Sequence, residues 1–124
     1  MKFLYLALGG SIGAILRYLV TLSSVRFFGA GFPLGTLAVN MLGSFFIGFA
    51  FVFFGREQMA LNFRIFLFIG IFGSFTTFST YMFESIDFIK NGAYKLAFFY
   101  MAISNILGLL LVYFGIQLGE YLEK

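Results

Sequence analysis

The chain contains no cysteine, no histidine and no tryptophan, a single proline (Pro33), and few charges of either sign. Each scarcity removes a class of function. Without cysteine there are neither disulfides nor thiolate metal sites. Without histidine the usual proton relay of neutral pH and the commonest metal ligand are also gone. No paired acids replace them, so the residues for an intramembrane enzyme are missing. Charged residues are 10% of the chain and hydrophobic ones 61%. A soluble domain of 124 residues could not bury so much apolar surface. The mean hydropathy, +1.01, fits a bilayer instead. Eight basic residues against five acidic ones are a small, scattered excess that does not suggest nucleic acid. The length is that of one domain, residues 1–124. A cleaved secretory signal is a poor reading of the N-terminus, because equally apolar segments follow it.

What is present is long apolar sequence. A helix crosses the hydrocarbon core in about 20 residues, and four segments fit: 3–22, 34–54, 63–89 and 94–118. The joins carry glycine, asparagine and charge, as turns do. The fold class is therefore an all-α integral membrane protein with four transmembrane helices. An even number of spans puts both termini on one side. That side has Lys2, Arg56, Arg64 and Lys124; the other has Arg26, Lys90 and Lys95, and also Arg17, which lies near that end of its span. Four against four gives positive-inside bias no preferred orientation. Insertion both ways up, with opposed copies paired as an antiparallel dimer, follows from that balance; the alternative is one topology fixed by a dominant charge. Small residues at four-residue spacing (Gly9 with Gly13, Gly10 with Ala14, Gly115 with Gly119) let helices approach closely in lipid. They serve either a second copy or packing within one subunit.

Polar residues fall in stripes. Thr36, Asn40, Gly43 and Ser44 share one face of the second span, and Ala38, Leu42, Phe45 and Phe49 the other. The fourth span aligns Tyr100, Ser104 and Gly108, with Asn105 beside them. In the first, Gly10, Ala14, Arg17 and Thr21 line up. Asn40 is either interhelical glue or a donor facing a pathway. Arg17 either snorkels or marks an anion vestibule.

The third span holds "GSFTTFSTY", residues 73–81, in which five aliphatic hydroxyls and a phenol lie in a stretch without charge from 65 to 83. Gly70 and Gly73 weaken the helix, and Ser74, Thr76 and Thr77 compete for its backbone, which predicts a break near its middle, at Gly73 to Thr76. Bare backbone at membrane depth is tolerated only against protein or a cavity, and freed carbonyls suit a cation such as Na⁺. Most of the 21 phenylalanines, among them Phe49, Phe53 and Phe66, read as lipid-facing. Phe78 and Tyr81 differ, being interleaved with Thr77, Ser79 and Thr80. The positive edge of an aromatic ring can favour an anion without the full charge that would trap it.

With these pieces in order, "GGSIGAILRY", "GTLAVNMLGSFFIG", "GSFTTFSTY" and "YMAISNILG", the chain resembles the Fluc (CrcB) family of fluoride channels over essentially its whole length. The resemblance implies an antiparallel dual-topology homodimer in the cell inner (plasma) membrane, multi-pass, with two fluoride pores along the subunit interface. It implies that Asn40, Phe78 and Tyr81 line each pore, and that Ser79, Thr80, Tyr100 and Ser104 supply a hydroxyl track. Arg17 would sit near a vestibule, and backbone carbonyls of Gly73 and Thr76 from both subunits would hold a structural Na⁺. The implied role is passive export of F⁻ that has entered as HF. One departure stands out: the family's motif usually ends Thr-Thr-Phe-Ser-Thr-Phe, and here the last aromatic is Tyr81, whose phenol either donates to fluoride or narrows the path.

The nearest rival is a small dual-topology multidrug/proton antiporter, which needs a titratable carboxylate in the membrane core. The middles of these spans contain no acid; Glu84 and Asp87 lie toward the end of the third. A purely structural membrane subunit would explain the glycines but not the hydroxyls around Phe78 and Asn40. With Tyr81 in the pore, Tyr81→Phe changes fluoride flux; unchanged flux beside a strongly impaired Phe78→Ile would put Tyr81 outside the rate-limiting part.

Overall fold

The computed structural model describes residues 1–124, and its regular structure is helical throughout. Four helices are long and apolar enough to cross a membrane. The first is α1 (Lys2–Phe28) and the second α2 (Leu34–Phe54). The third span, Leu61–Lys90, is composite: α3 (Leu61–Arg64), a π-helical segment (Ile65–Phe72), α4 (Gly73–Phe75) and α5 (Phe78–Lys90). The fourth is α6 (Tyr94–Glu123).

Helix ends follow the breakers. The second span has the bounds read from the sequence, set by Pro33 and Gly55. α1 outruns its expected end at Leu22 because nothing in "TLSSVRFF" interrupts it; it stops at Gly29, whose φ of 79° suits only a residue without a side chain. Arg17 therefore lies in mid-helix rather than near the end. That corrects the charge balance, because removing Arg17 from the far side leaves Arg26, Lys90 and Lys95, three against four. α6 likewise continues past Leu118 to Glu123, whose carboxylate pairs with Arg56 at the end of α2.

Between α4 and α5 the backbone leaves the helix. Thr76 (φ −84°, ψ 160°) and Thr77 (φ −146°, ψ 118°) are both extended.

Glycines set which helices touch. A Cβ on Gly9 would come within 3.0 Å of the Gly70 Cα, and one on Gly70 within 2.8 Å of the Gly9 Cα. α1 and the third span thus meet backbone to backbone there. One turn on, Gly13 faces the Ile71 carbonyl and the Ser74 hydroxyl. On the other side of the subunit Gly115 faces the Phe45 carbonyl, Gly119 that of Phe49, and Gly48 that of Val112, joining α2 to α6. Both glycine pairs are consumed within one subunit, so they carry no argument for a second copy. Of the glycines at four-residue spacing, Gly10 remains open.

This seam also overturns part of the expected lipid face. Phe45 and Phe49 are half-buried against α6, as are Phe53 and Phe66 in aromatic clusters. The outward rings of α2 are Phe46, Phe51 and Phe54. α2 has no single free apolar face: its polar side meets the third span, the side opposite meets α6, and Gly35 brings it against Thr21 of α1.

Gly70→Ala places a methyl against the Gly9 backbone, and a fixed backbone contact cannot yield as a side chain does. Such overpacking typically costs about 1–3 kcal/mol, so thermal unfolding in detergent should shift clearly downward. An unchanged midpoint would contradict the close approach.

Candidate functional site

The interruption of the third span is held from α2. The Asn40 amide donates from Nδ2 to the Thr77 carbonyl (3.0 Å), and its Oδ1 accepts the Thr77 N–H (2.8 Å). One side chain thus supplies both partners of an extended residue at membrane depth, where lipid offers none. In an unbroken helix the Thr77 N–H would go to the Gly73 carbonyl and the Thr80 N–H to that of Thr76. Asn40 takes the first, and the Thr77 hydroxyl, capping α5, accepts the second at 3.3 Å. The Gly73 and Thr76 carbonyls are thereby released from the helical ladder. Of the two intervening carbonyls, that of Ser74 is engaged by Arg17 Nε at 3.0 Å. Arg17 is therefore tied to the third span and does not snorkel. The Ser74 hydroxyl in turn donates toward the carbonyls of Gly10 (2.9 Å) and Gly70 (2.6 Å).

Past the interruption, α5 presents its aromatics in two directions. Phe78 points away from the subunit and is 72% exposed. Tyr81 turns inward, 6% exposed, toward the fully buried Tyr100. The rings meet edge to face: Phe78 with Tyr81 at 6.1 Å and 72°, Tyr81 with Tyr100 at 5.2 Å and 78°. The Tyr81 hydroxyl donates to the Met101 carbonyl (3.2 Å) and accepts from Asn105 Nδ2 (2.8 Å), both on α6.

Glu84 was missed as part of this assembly. One oxygen accepts from the Thr36 hydroxyl (3.1 Å) and the other from the Tyr100 hydroxyl (2.9 Å), so the carboxylate bridges α2 and α6. The signal was present: Thr77, Thr80, Tyr81 and Glu84 follow helical spacing along one face of α5. It went unread because Glu84 entered only as a candidate proton carrier.

Three polar hollows adjoin one another along this face. An outer one of about 340 Å³ at the α1–α2 and α5–α6 turns includes Ser24, Thr21, Thr36, Glu84 and Asp87. The next, about 250 Å³, shares Thr21, Thr36 and Glu84 with it and adds Arg17, Thr77 and Thr80. The innermost, also about 250 Å³, shares Thr77 and is lined by Asn40, Ser44, Thr76 and Phe78. Together they step from one membrane face to the interrupted backbone.

An anion needs free protons rather than oxygen atoms as such. The hydroxyls of Ser44, Thr76, Thr21 and Ser85 donate to carbonyls four residues earlier on their own helices. Tyr100 donates to Glu84 and Tyr81 to Met101. The Thr80 hydroxyl is different: it accepts from Thr77 and keeps its own proton free. Ser79 lies on the exposed side of α5, and the half-buried Ser104 takes no part in these bonds.

Among known families, the chain matches the model described as CrcB-like protein, Camphor Resistance (CrcB), over residues 4–116. A Parabacteroides distasonis relative named fluoride-specific ion channel FluC is 42% identical over 120 residues, covering 97% of this chain and 94% of the relative. Relatives of the same name from Shewanella sediminis and Agrobacterium fabrum are each 41% identical over 117 residues, covering 94% of both chains.

Replacing Asn40 by leucine leaves the Thr77 N–H and carbonyl without partners. Each buried group left unpaired costs about 1–3 kcal/mol, so Asn40→Leu should unfold at markedly lower temperature in detergent. A variant as stable as the parent would mean that the interruption does not depend on Asn40.

Proposed function

The chain belongs to the CrcB-like family, and from that membership and the geometry of the interrupted span we infer that it is a passive, fluoride-selective channel. The observation that carries the reading is the Asn40 clamp: it keeps a polar opening at membrane depth next to the exposed Phe78 ring without placing a full charge there. Fluoride is small and holds water tightly, so a pathway must replace that water with several short donors. A lone cation at the constriction would hold it too firmly to conduct. The moderate donors are the second Nδ2 proton of Asn40, the hydroxyls of Ser79, Thr80 and Ser104, and the ring edges of Phe78 and Tyr81. Tyr100, expected in the hydroxyl track, is fully buried and gives its proton to Glu84, so it positions Tyr81 and Glu84 and is not one of these donors. Arg17, held on Ser74, contributes positive potential to the intermediate hollow, a vestibule, rather than a site in the neck. The relatives' names give no support to an antiporter.

The pathway is completed by a second copy. Phe78, Ser79, Gly73 and Asn105 are exposed on a single subunit at or near mid-span. Lipid tails cannot satisfy such polar groups, and an opposed copy can. The nearly even charge balance supports dual topology and an antiparallel homodimer, placed in the inner (plasma) membrane for export of F⁻ from the cytoplasm.

Sodium fits the same interruption. The released carbonyls of Gly73 and Thr76 are hard oxygen donors at the carbonyl end of a helix, where partial negative charge gathers. Four such oxygens, two from each subunit, would hold Na⁺ at the interface, and the bound ion supplies a fixed positive charge near both pathways. The chain's part is to keep those oxygens out of the ladder, through Asn40 and the Thr77 cap.

In liposomes carrying the purified protein, fluoride should leave rapidly while chloride is retained, read with ion-selective electrodes. Phe78→Ile should slow fluoride efflux at least about tenfold, which corresponds to one 1.36 kcal/mol step in barrier height. Retention of fluoride by folded parent protein, or equal loss of chloride, would contradict the assignment. Replacing sodium by a large organic cation throughout purification should lower both flux and dimer stability; insensitivity of both would remove the sodium site.

A further inference from the structure

We propose that Asn105 is a positioning residue for ion passage: its amide holds the Tyr81 phenol against α6, so that Tyr81 offers the pathway a ring edge and not a hydroxyl. This rests on the reading of the chain as a fluoride channel and adds to it a residue on α6 and a role for the unusual phenol.

A phenol oxygen can donate one hydrogen bond and accept others. In Tyr81 the proton is directed to the Met101 carbonyl at 3.2 Å, and a lone pair accepts Asn105 Nδ2 at 2.8 Å. Asn105 Nδ2 also reaches the Met101 carbonyl at 2.8 Å. The three groups close a triangle on one turn of α6. With the proton fixed there, an approaching anion finds no donor at the hydroxyl. What remains is the ring, pinned between Phe78 and Tyr100 in edge-to-face contacts. The C–H edge of that ring carries the positive part of the quadrupole.

The amide does not need Tyr81 for its own satisfaction. The bond to Met101 lies within its own helix, four residues back, and Asn105 sits on the exposed side of α6. The tie to Tyr81 is thus an added interaction made across two helices. Without it the phenol can swing its proton off Met101 and present it to an anion, a stronger and stickier donor than a C–H edge. A stronger site slows exit and gives chloride a contact that a ring edge denies it. With phenylalanine at position 81 there is no hydroxyl to restrain, and Asn105 loses this role.

The test is a double-mutant cycle on the full-length protein in liposomes: parent, Asn105→Leu, Tyr81→Phe and the double variant, each read for fluoride and chloride efflux. Asn105→Leu should slow fluoride about tenfold and lower the fluoride-to-chloride ratio. In the Tyr81→Phe background the same change should alter either quantity less than about twofold, because directly interacting residues are not additive. Should Asn105→Leu fail to give monodisperse protein, Asn105→Ala takes its place in the cycle with the same expectation. Equal factors in both backgrounds, or no effect of the Asn105 change on the parent, would overturn the proposal. If all four proteins release fluoride no faster than empty liposomes, the channel reading falls and this inference with it; parent flux with additive losses removes the inference alone.

Discussion

Everything distinctive in this subunit depends on one side chain satisfying one residue's backbone. Thr77 is extended in the middle of an apolar span, where an unpaired N–H or carbonyl is costly. Asn40 meets both needs at 2.8 and 3.0 Å. An amide is the right group because it reproduces the donor and acceptor of a peptide unit. Isosteric leucine offers neither, and aspartate offers only acceptors when ionised. Once that contact exists, the ladder can open at Gly73 and Thr76 and α5 can restart with the Thr77 cap. Phe78 then leaves the subunit while Tyr81 enters it.

The rest of the bundle holds the two halves of the interruption apart and in place. The first half is fixed to α1 by the Gly9–Gly70 approach and by Ser74, whose carbonyl and hydroxyl both bond to α1. The second half is fixed to α6 and α2 through Tyr81, Tyr100, Glu84 and Thr36. Different helices thus carry the two ends of the opening, and α2 bridges them at Asn40. An arginine and a carboxylate are present in this network, but each is engaged by fixed neutral partners: Arg17 by a carbonyl, Glu84 by two hydroxyls. Both line the intermediate hollow, and the innermost one, at Asn40, Ser44, Thr76 and Phe78, is left to neutral groups, as conduction of a strongly hydrated anion requires.

Much of this was legible in the sequence because it is local. Span number, the bounds of α2 and the crowding of hydroxyls at residues 73–81 follow from composition and from Pro33 and Gly55. Pairwise partners were less legible. Periodicity places Asn40 on a polar face, but only the packing of α2 on the third span shows that it meets Thr77. Arg17 seemed to lie near a helix end because Leu22 seemed to be that end, and one wrong boundary misplaced a charge. Phe49 reads as lipid-facing from composition, yet a helix touching three neighbours has no single outward face, and the ring is half-buried. Glu84 and Asn105 were visible as residues but not as partners, since their bonds cross from α5 to α2 and α6.

The central claim is that a charge-free polar opening held by Asn40 conducts fluoride passively. Its most direct measurement is the reversal potential of the reconstituted protein in a planar bilayer under a tenfold fluoride gradient, with chloride balancing the anions. A fluoride-selective passive pore sets that potential near the single-charge Nernst value, about 59 mV, and leaves it unmoved by an imposed pH gradient. A potential near zero, as chloride permeation would produce, or one that follows the pH gradient, as proton coupling would produce, would contradict the account.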